Sequence, residues 1–297
     1  MLFTRENDIM LKDKVKNLGE KVKMKISIIT ATFQSAGTVR DTLESVLGQT
    51  YTNFEHIIVD GASKDATMDI VKSYEDAYKG RLKYISEKDS GLYDAMNKGI
   101  QMATGDVIGI LNSDDKYAHQ DVLQEIVNCF EKNNCDGSYG NLIFMDAETM
   151  TKPQRIWRSK EGKLEEGWIP AHPTLYLKKE VYEKVGLFHL SYRIVADYDF
   201  MVRMLKDKNI HLSYIDDDLV YMRVGGISTD GIKGYYRNLK ESHKVLVANQ
   251  IPHPYVIDFK RCIKTIGQML KKSQIKGKQK YETSYFLQNQ KEESMNR

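Results

Sequence analysis

Cysteine is scarce in this sequence: 297 residues hold three, Cys129, Cys135 and Cys262. The count is odd and no CxxC pair occurs, which leaves neither a disulfide framework nor a thiolate zinc site. A reducing, cytoplasmic setting is the simplest reading. No stretch approaches the roughly 18 uninterrupted apolar residues that a membrane-spanning helix needs. Strong charge of one sign is also missing. The net charge is +3, too small to imply nucleic acid as a partner. Residues 1–24 carry acids early and have no apolar core, so they do not resemble a secretory signal. They are expected to be a short solvated helix or a disordered lead-in. No internal repeat is evident. What remains is 41% hydrophobic and 29% charged, the balance of a globular chain able to bury a substantial core.

Order begins at "KISIIT", residues 25–30, a β-branched apolar run that suits a buried strand. Residues 36–47 follow with Val39, Leu43, Val46 and Leu47 at helical spacing. Ile57, Ile58 and Val59 form a second strand ending at Asp60-Gly61, and residues 65–78 read as one helix. "LKYISEKDSG" gives a third strand, "LYDAMNKGIQMA" a helix and "GDVIGILNSDD" a fourth strand. Alternation of this kind implies parallel strands with helices on both faces, and ligands gather at the carboxyl ends of such strands. Those ends are acidic here: Asp60, Asp89, then Asp114 and Asp115. After residue 116 the pattern mixes. A helix over 121–132 precedes a hairpin from "GSYGNLIFMD" and "KPQRIWRS". Next come a strand and a short helix stopping at Gly186, a helix starting near Asp197, and a final strand or pair in "IHLSYIDDDLVYMRVGG". Residues 25–230 are read as one domain. Residues 231–297 add two helices, divided at Pro252–Pro254, and a polar tail.

Crowded acids at the end of a buried strand need an explanation, because neighbouring dry carboxylates repel. A polar loop is one answer. A hard cation is another, since Mg²⁺ and Mn²⁺ choose oxygen ligands and keep sites for substrate phosphates. In "VDGASKDAT", Ser63 and Asp65 can start a helix, while Asp60 is free to accept from a ligand amide such as a pyrimidine N–H. In "EKDSGLYDAMNKGI", Tyr93, Met96 and Ile100 are expected in the core, and Asp94, Asn97 and Lys98 suit a solvated face. Alternatively, Asp89 and Lys98 flank a cleft that holds a sugar diphosphate.

The ordered set "SIITATFQSAGTVRDTLESVLGQTY", "EHIIVDGASKDAT", "EKDSGLYDAMNKGI" and "GDVIGILNSDD" resembles family 2 glycosyltransferases of the bacterial polysaccharide-building kind. The resemblance covers about residues 25–230. It implies a GT-A fold: α/β, with a Rossmann-like mixed central sheet flanked by helices. It also implies inverting transfer from a nucleotide-diphosphate donor, usually a UDP-sugar, with Mn²⁺ or Mg²⁺. Carried onto this chain, it brings Thr30 and Phe33 to the base, Asp60 to the uracil and Asp89 to the nucleoside. The family's DXD motif falls on Asn112-Ser113-Asp114, whose first acid is Asn here. Asn112 can still bond a ribose hydroxyl, Asp114 is the metal ligand, and Asp115 assists it or meets the sugar.

Inversion needs a base to take the acceptor's proton. The family commonly has Glu-Asp where this chain has Ala196-Asp197, which makes Asp197 the matching base. Asp199 suits the helix dipole. His172 matches a family position between the halves of the site, and Trp168 is either a stacking platform or core. "YMRVGGIST" resembles a closing loop, with Arg223 or Ser228 reaching the diphosphate and Gly225-Gly226 as its hinge. Near the C-terminus, Lys260, Arg261, Lys264, Lys271, Lys272, Lys276, Lys278 and Lys280 accompany Ile263, Ile266, Met269 and Leu270. A basic amphipathic helix of this kind lies peripherally on an anionic bilayer, where a glycan or lipid-linked acceptor would be met; a packed helix with a solvated face is the plainer reading. Two other classes stay in view. A nucleotidyltransferase should carry a basic, Gly-rich loop after the first strand, but "TATFQSAGTV" has one Gly and no basic residue before Arg40. A non-catalytic nucleotide-sugar-binding relative is kept alive by Asn112 and Ala196.

Overall fold

Strand β1 (Ile26–Thr32) is buried along its whole length. Its alternate residues serve different cores: Ile26 and Ile28 pack with Val39, Leu43 and Val46, while Ile29 and Ala31 pack with Met96 and Ile100. That is the two-residue period of a strand covered on both faces. The computed structural model describes residues 23–225 and 231–270. The expected lead-in up to residue 22, Gly226 and Ser228 of the closing loop, and the lysines from Lys271 onward lie outside the described residues, as do the side chains of Met269 and Leu270.

Helix α1 (Val39–Leu47) leads to β2 (Phe54–Asp60). The single helix expected over 65–78 is two short ones, α2 (Thr67–Lys72) and α3 (Glu75–Tyr78). A side-chain bond competes with the helix at the break: Ser73 Oγ donates to the Ile70 carbonyl at 2.6 Å. Next come β3 (Leu82–Ser86), α4 (Leu92–Met102) and β4 (Val107–Ile110). These four strands are parallel in the order β3-β2-β1-β4. The chain therefore steps outward from β1 to β3 and then returns to β1's other side. The crevice between the carboxyl ends of β1 and β4 is a topological switch point.

The fourth strand stops at Ile110, earlier than the sequence reading had it. "LNSDD" is a turn into β5 (Lys116–Tyr117). Helix α5 (Val122–Asn133) precedes the hairpin of β6 (Gly137–Met145) and β7 (Pro153–Trp157), antiparallel as expected. Strand β8 (Tyr176–Lys178) then inserts antiparallel between β4 and β6. Gly109 makes this insertion possible, since a Cβ there would lie 2.0 Å from the Tyr176 ring. Helices α6 (Lys179–Val185) and α7 (Ala196–Lys206) follow, and β9 (Leu212–Arg223) runs parallel to β6. The result is a nine-stranded mixed sheet flanked by helices. Helices α8 (Gly231–Ala248) and α9 (Pro254–Leu270) pack on α7 through Tyr198, Val202, Val245, Leu246 and Ile257. Proline opens α9, where its missing N–H costs nothing.

A buried polar relay ties β1 and β2 to α1 and the end of β4. Thr30 Oγ1 donates to the Leu111 carbonyl at 2.7 Å and lies 2.9 Å from His56 Nε2. His56 Nδ1 lies 2.8 Å from the Tyr78 hydroxyl, which donates to the Leu43 carbonyl at 2.7 Å. Burial holds the His56 pKa down to about 3, so the ring is neutral at pH 7. As pH falls, the unfolded chain takes up this proton first, near its ordinary value of about 6.5. The contribution is complete above about pH 6.5 and is lost steadily toward pH 3. Urea denaturation at a series of pH values should show the midpoint falling through that window. A folded His56→Gln variant should lose part of that slope; an unchanged slope would assign the titration to another group.

Candidate active site

A cleft of about 2590 Å³ opens at the switch point. Phe33, Gly61, Asp89, Asn112, Ser113 and Asp114 line it from the parallel half of the sheet. Tyr93, His172, Asp197 and Arg223 line it from the other side, with residues of α8 and α9 forming an outer wall.

At the parallel edge, Phe33 follows β1 and leaves 62% of its surface exposed. Gly61 follows β2. A Cβ there would fall 2.7 Å from Asp89 Oδ2 and 3.2 Å from the Phe33 ring, so this ledge exists only because position 61 has no side chain. Asp89 Oδ1 accepts the Gly91 N–H at 2.9 Å, leaving Oδ2 over Gly61. The other residues expected here stand behind the ledge. Thr30 is fully buried in the relay. Asp60 is also fully buried, and its carboxylate accepts from Ser63 N–H at 2.9 Å, Ser63 Oγ at 2.5 Å and Ser86 Oγ at 2.6 Å. It shapes the turn that carries Gly61 and is not part of the cleft lining. Lys98 points to Glu87 at 2.8 Å and is likewise outside the lining. Its neighbour Asn97 is buried rather than solvated: its amide exchanges two bonds of 2.9 Å with the Phe188 backbone.

The turn after β4 divides its acids. Asp115 is 1% exposed; its Oδ1 accepts the Arg223 N–H at 3.1 Å and its Oδ2 the Asn112 amide at 3.3 Å. Burial, reinforced by Asp114, pushes its carboxyl well above the usual range. Asp114 faces the cleft, and burial raises its carboxyl too, against the pull of Arg223. Asn112 Oδ1 is buried without a hydrogen-bond partner. Ser113 Oγ meets Ser35 Oγ at 2.9 Å. Arg223 is cross-braced to Asp41 at 3.2 Å and to the Ala147 carbonyl. A raised carboxylate beside an orphaned amide oxygen is a donor set that fits a hard divalent cation, since both oxygens gain a partner and the repulsion is offset.

On the far side, Asp197 sits in the first turn of α7. The Tyr93 hydroxyl lies 3.0 Å from Asp197 Oδ1 and 2.8 Å from the Ile194 carbonyl. The sequence reading placed Tyr93 in the core, and its ring is there, against Phe188; its hydroxyl reaches a residue 104 positions away, which no local pattern reveals. Burial lowers the pKa of His172 while Asp197 raises it, so the imidazole beside the cleft favours its neutral form. The Trp168 indole N–H donates to the Ser159 carbonyl at 2.7 Å, and the side chain is 9% exposed. Asp199, expected as a helix-dipole residue, is a buried hub for Arg203, His189 and Asn249. Outside the cleft lining, His119, Glu125 and Asp217 bring one ligand atom each within 4.8 Å of the others, a group that no spacing in the sequence signals.

Comparison with known proteins agrees with this geometry. The family profile described as "Glycosyl transferase family 2" matches residues 27–198, more than half of the chain. A "PGL/p-HBAD biosynthesis glycosyltransferase" of Mycobacterium tuberculosis is 28% identical over 214 residues, covering 68% of this chain and 78% of the relative. Among solved structures, S. aureus TarS 1-349 in complex with UDP superposes with a TM-score of 0.60 at 18% identity, over 86% of this chain and 76% of that one. The chain spans 44% of a longer TarS structure. The mannosyltransferase PcManGT from Pyrobaculum calidifontis, in complex with GDP-Man and Mn²⁺, gives a TM-score of 0.60 at 15% identity, over 97% of this chain and 88% of that one. At these identities the structures speak for a shared GT-A fold, and the profile match sets the family: this chain belongs to glycosyl transferase family 2.

Proposed function

We propose that this chain is an inverting glycosyltransferase that moves a sugar from a UDP-sugar to a glycan or lipid-linked sugar acceptor in surface polysaccharide synthesis. The observation that carries the reading is one cleft lined by both Asp114 and Asp197, with the switch point between them. We assign residues 25–230 to the transferase domain and residues 231–297 to a C-terminal extension. That TarS has been solved with UDP and with UDP-GlcNAc supports a uridine donor.

In this reading the base stacks on Phe33, whose exposed ring gains a cover, and Asp89 Oδ2 accepts from the nucleoside. Asn112 Oδ1 accepts a ribose hydroxyl or supports the cation site, and Ser113 bonds the adjoining phosphate or ribose. Asp114, with Asn112 beside it, would hold Mn²⁺ or Mg²⁺, and the chemistry such an ion supplies is stabilisation of the departing diphosphate. Asp115 acts one layer back by fixing Arg223 and Asn112. Asp60 does the same for Gly61.

Asp197 is the general base. Tyr93 engages Oδ1 and leaves Oδ2 for the acceptor hydroxyl. The acceptor's proton passes to Asp197 as its oxygen bonds to the anomeric carbon, and the bond from that carbon to the diphosphate breaks on the opposite face. UDP leaves with the bonding pair, and the anomeric configuration inverts. Neutral His172 donates to or accepts from the donor sugar without adding charge near the base.

Three outcomes test this. Asp197→Asn should lower turnover by about 10²- to 10⁴-fold with UDP titration calorimetry unchanged; undiminished turnover would remove Asp197 as base, and lost UDP binding would make it a binding residue. A panel of UDP-sugars should yield slow UDP release from one donor with Mn²⁺ and a loss of that release with EDTA. Activity that survives EDTA would exclude a metal at Asp114. Gly61→Ala should weaken UDP binding by roughly tenfold or more, because the new methyl displaces Asp89 and Phe33 together; unaltered affinity would move the base elsewhere in the cleft.

A further inference from the structure

Helix α9 is apolar on two faces. Its inner face carries Ile257, 1% exposed, into the cluster shared with α7 and α8. Its outer face carries Tyr255, Val256, Phe259, Ile263 and Ile266, which are 77%, 49%, 65%, 52% and 56% exposed. At helical pitch these five fall within an arc of about 100°. A surface helix of a globular protein normally puts its polar residues there. Scattered exposed apolar residues need no explanation, but a continuous stripe over three turns does.

The charge around the stripe identifies what covers it. The helix has one acid, Asp258, and it is turned inward, 8% exposed and 2.6 Å from His243. Exposed Lys260 and Lys264 border the stripe. From Phe259 to Tyr281 the sequence holds eight basic residues and no acid. Lys260 donates to the Glu165 carbonyl at 3.0 Å, which sets exposed Glu165 beside one end of the stripe, but the helix itself turns no carboxylate outward. Apolar residues edged by lysines in this way complement an anionic lipid surface. A second copy of the same stripe would bring like charges together.

The stripe also has a bearing on the cleft. Arg261, Lys264, Thr265 and Ile266 belong to the cleft wall as well as to α9, so the stripe runs to the mouth of the cleft. We infer that α9 lies in the plane of an anionic bilayer and seats the mouth of the cleft against it. An acceptor anchored in that bilayer then presents its sugar directly to the site. The acceptor's class rests on the proposed function; the seating of α9 rests on the stripe and its charges.

The test is cosedimentation of the full chain with vesicles. Phosphatidylglycerol mixed into phosphatidylcholine should pellet the protein, while phosphatidylcholine alone, or the mixed vesicles at high salt, should pellet much less. The double variant Phe259→Ser, Ile263→Ser should bind the mixed vesicles roughly tenfold more weakly or worse, with UDP affinity unchanged to show that the cleft is intact. Equal binding by the double variant, or no binding by the parent chain, would overturn the inference. So would a dimer in light scattering that the double variant dissolves, since a second copy would then own the stripe. Vesicle binding by a chain that fails to bind UDP would leave the seating standing and remove the donor reading instead.

Discussion

The bond from the Arg223 N–H to the Asp115 carboxyl joins two segments that are 108 residues apart in the chain. It clamps the end of β9 against the turn after β4, and the cleft is the space this clamp holds open. The turn is gripped from the other side by Thr42, whose hydroxyl donates to the Asp115 carbonyl at 2.7 Å. A hydrogen bond of this kind contributes on the order of 0.5–1.5 kcal/mol, and leaving the buried group unmet would cost about 1–3 kcal/mol. Asp114 can face a ligand because its neighbour is committed to the scaffold.

The same division of labour recurs around the site. Asp60 is spent inside, on Ser63 and Ser86, while Asp89 faces the cleft over Gly61. Asp199 is spent on Arg203 and His189, while Asp197 meets Tyr93 and the cleft. Turning one of each pair into the fold places a fixed network directly behind the group that faces the ligand. The acids thus mark the site whether or not they touch it.

That division explains what the sequence disclosed. Alternating strands and helices, both faces of β1, and the acidic strand ends were all legible because they are local, periodic signals. The direction in which a strand-end side chain turns is not local. Thr30 turns toward His56 and Asp60 toward Ser86, each a partner on another strand, and Lys98 turns back to Glu87 in the loop before its helix. Tyr93 was legible as core and illegible as a partner of Asp197 for the same reason. The insertion of β8 between β4 and β6 depends on Gly109 meeting Tyr176, a match between residues far apart in the chain. The helix over 65–78 breaks for a nearer cause, since Ser73 Oγ takes the Ile70 carbonyl.

Phe33 carries a thermodynamic consequence. With 62% of its surface in water, the free protein keeps an aromatic ring hydrated at the parallel edge of the site, while the Gly61 N–H bonds the Thr32 carbonyl beside it at 2.9 Å. Any ligand that covers the ring removes apolar surface from a shape already formed, so little ordering entropy opposes it. Such burial lowers the heat capacity of the complex. The enthalpy of association then becomes more favourable on warming, and the Phe33 ring contributes to that slope.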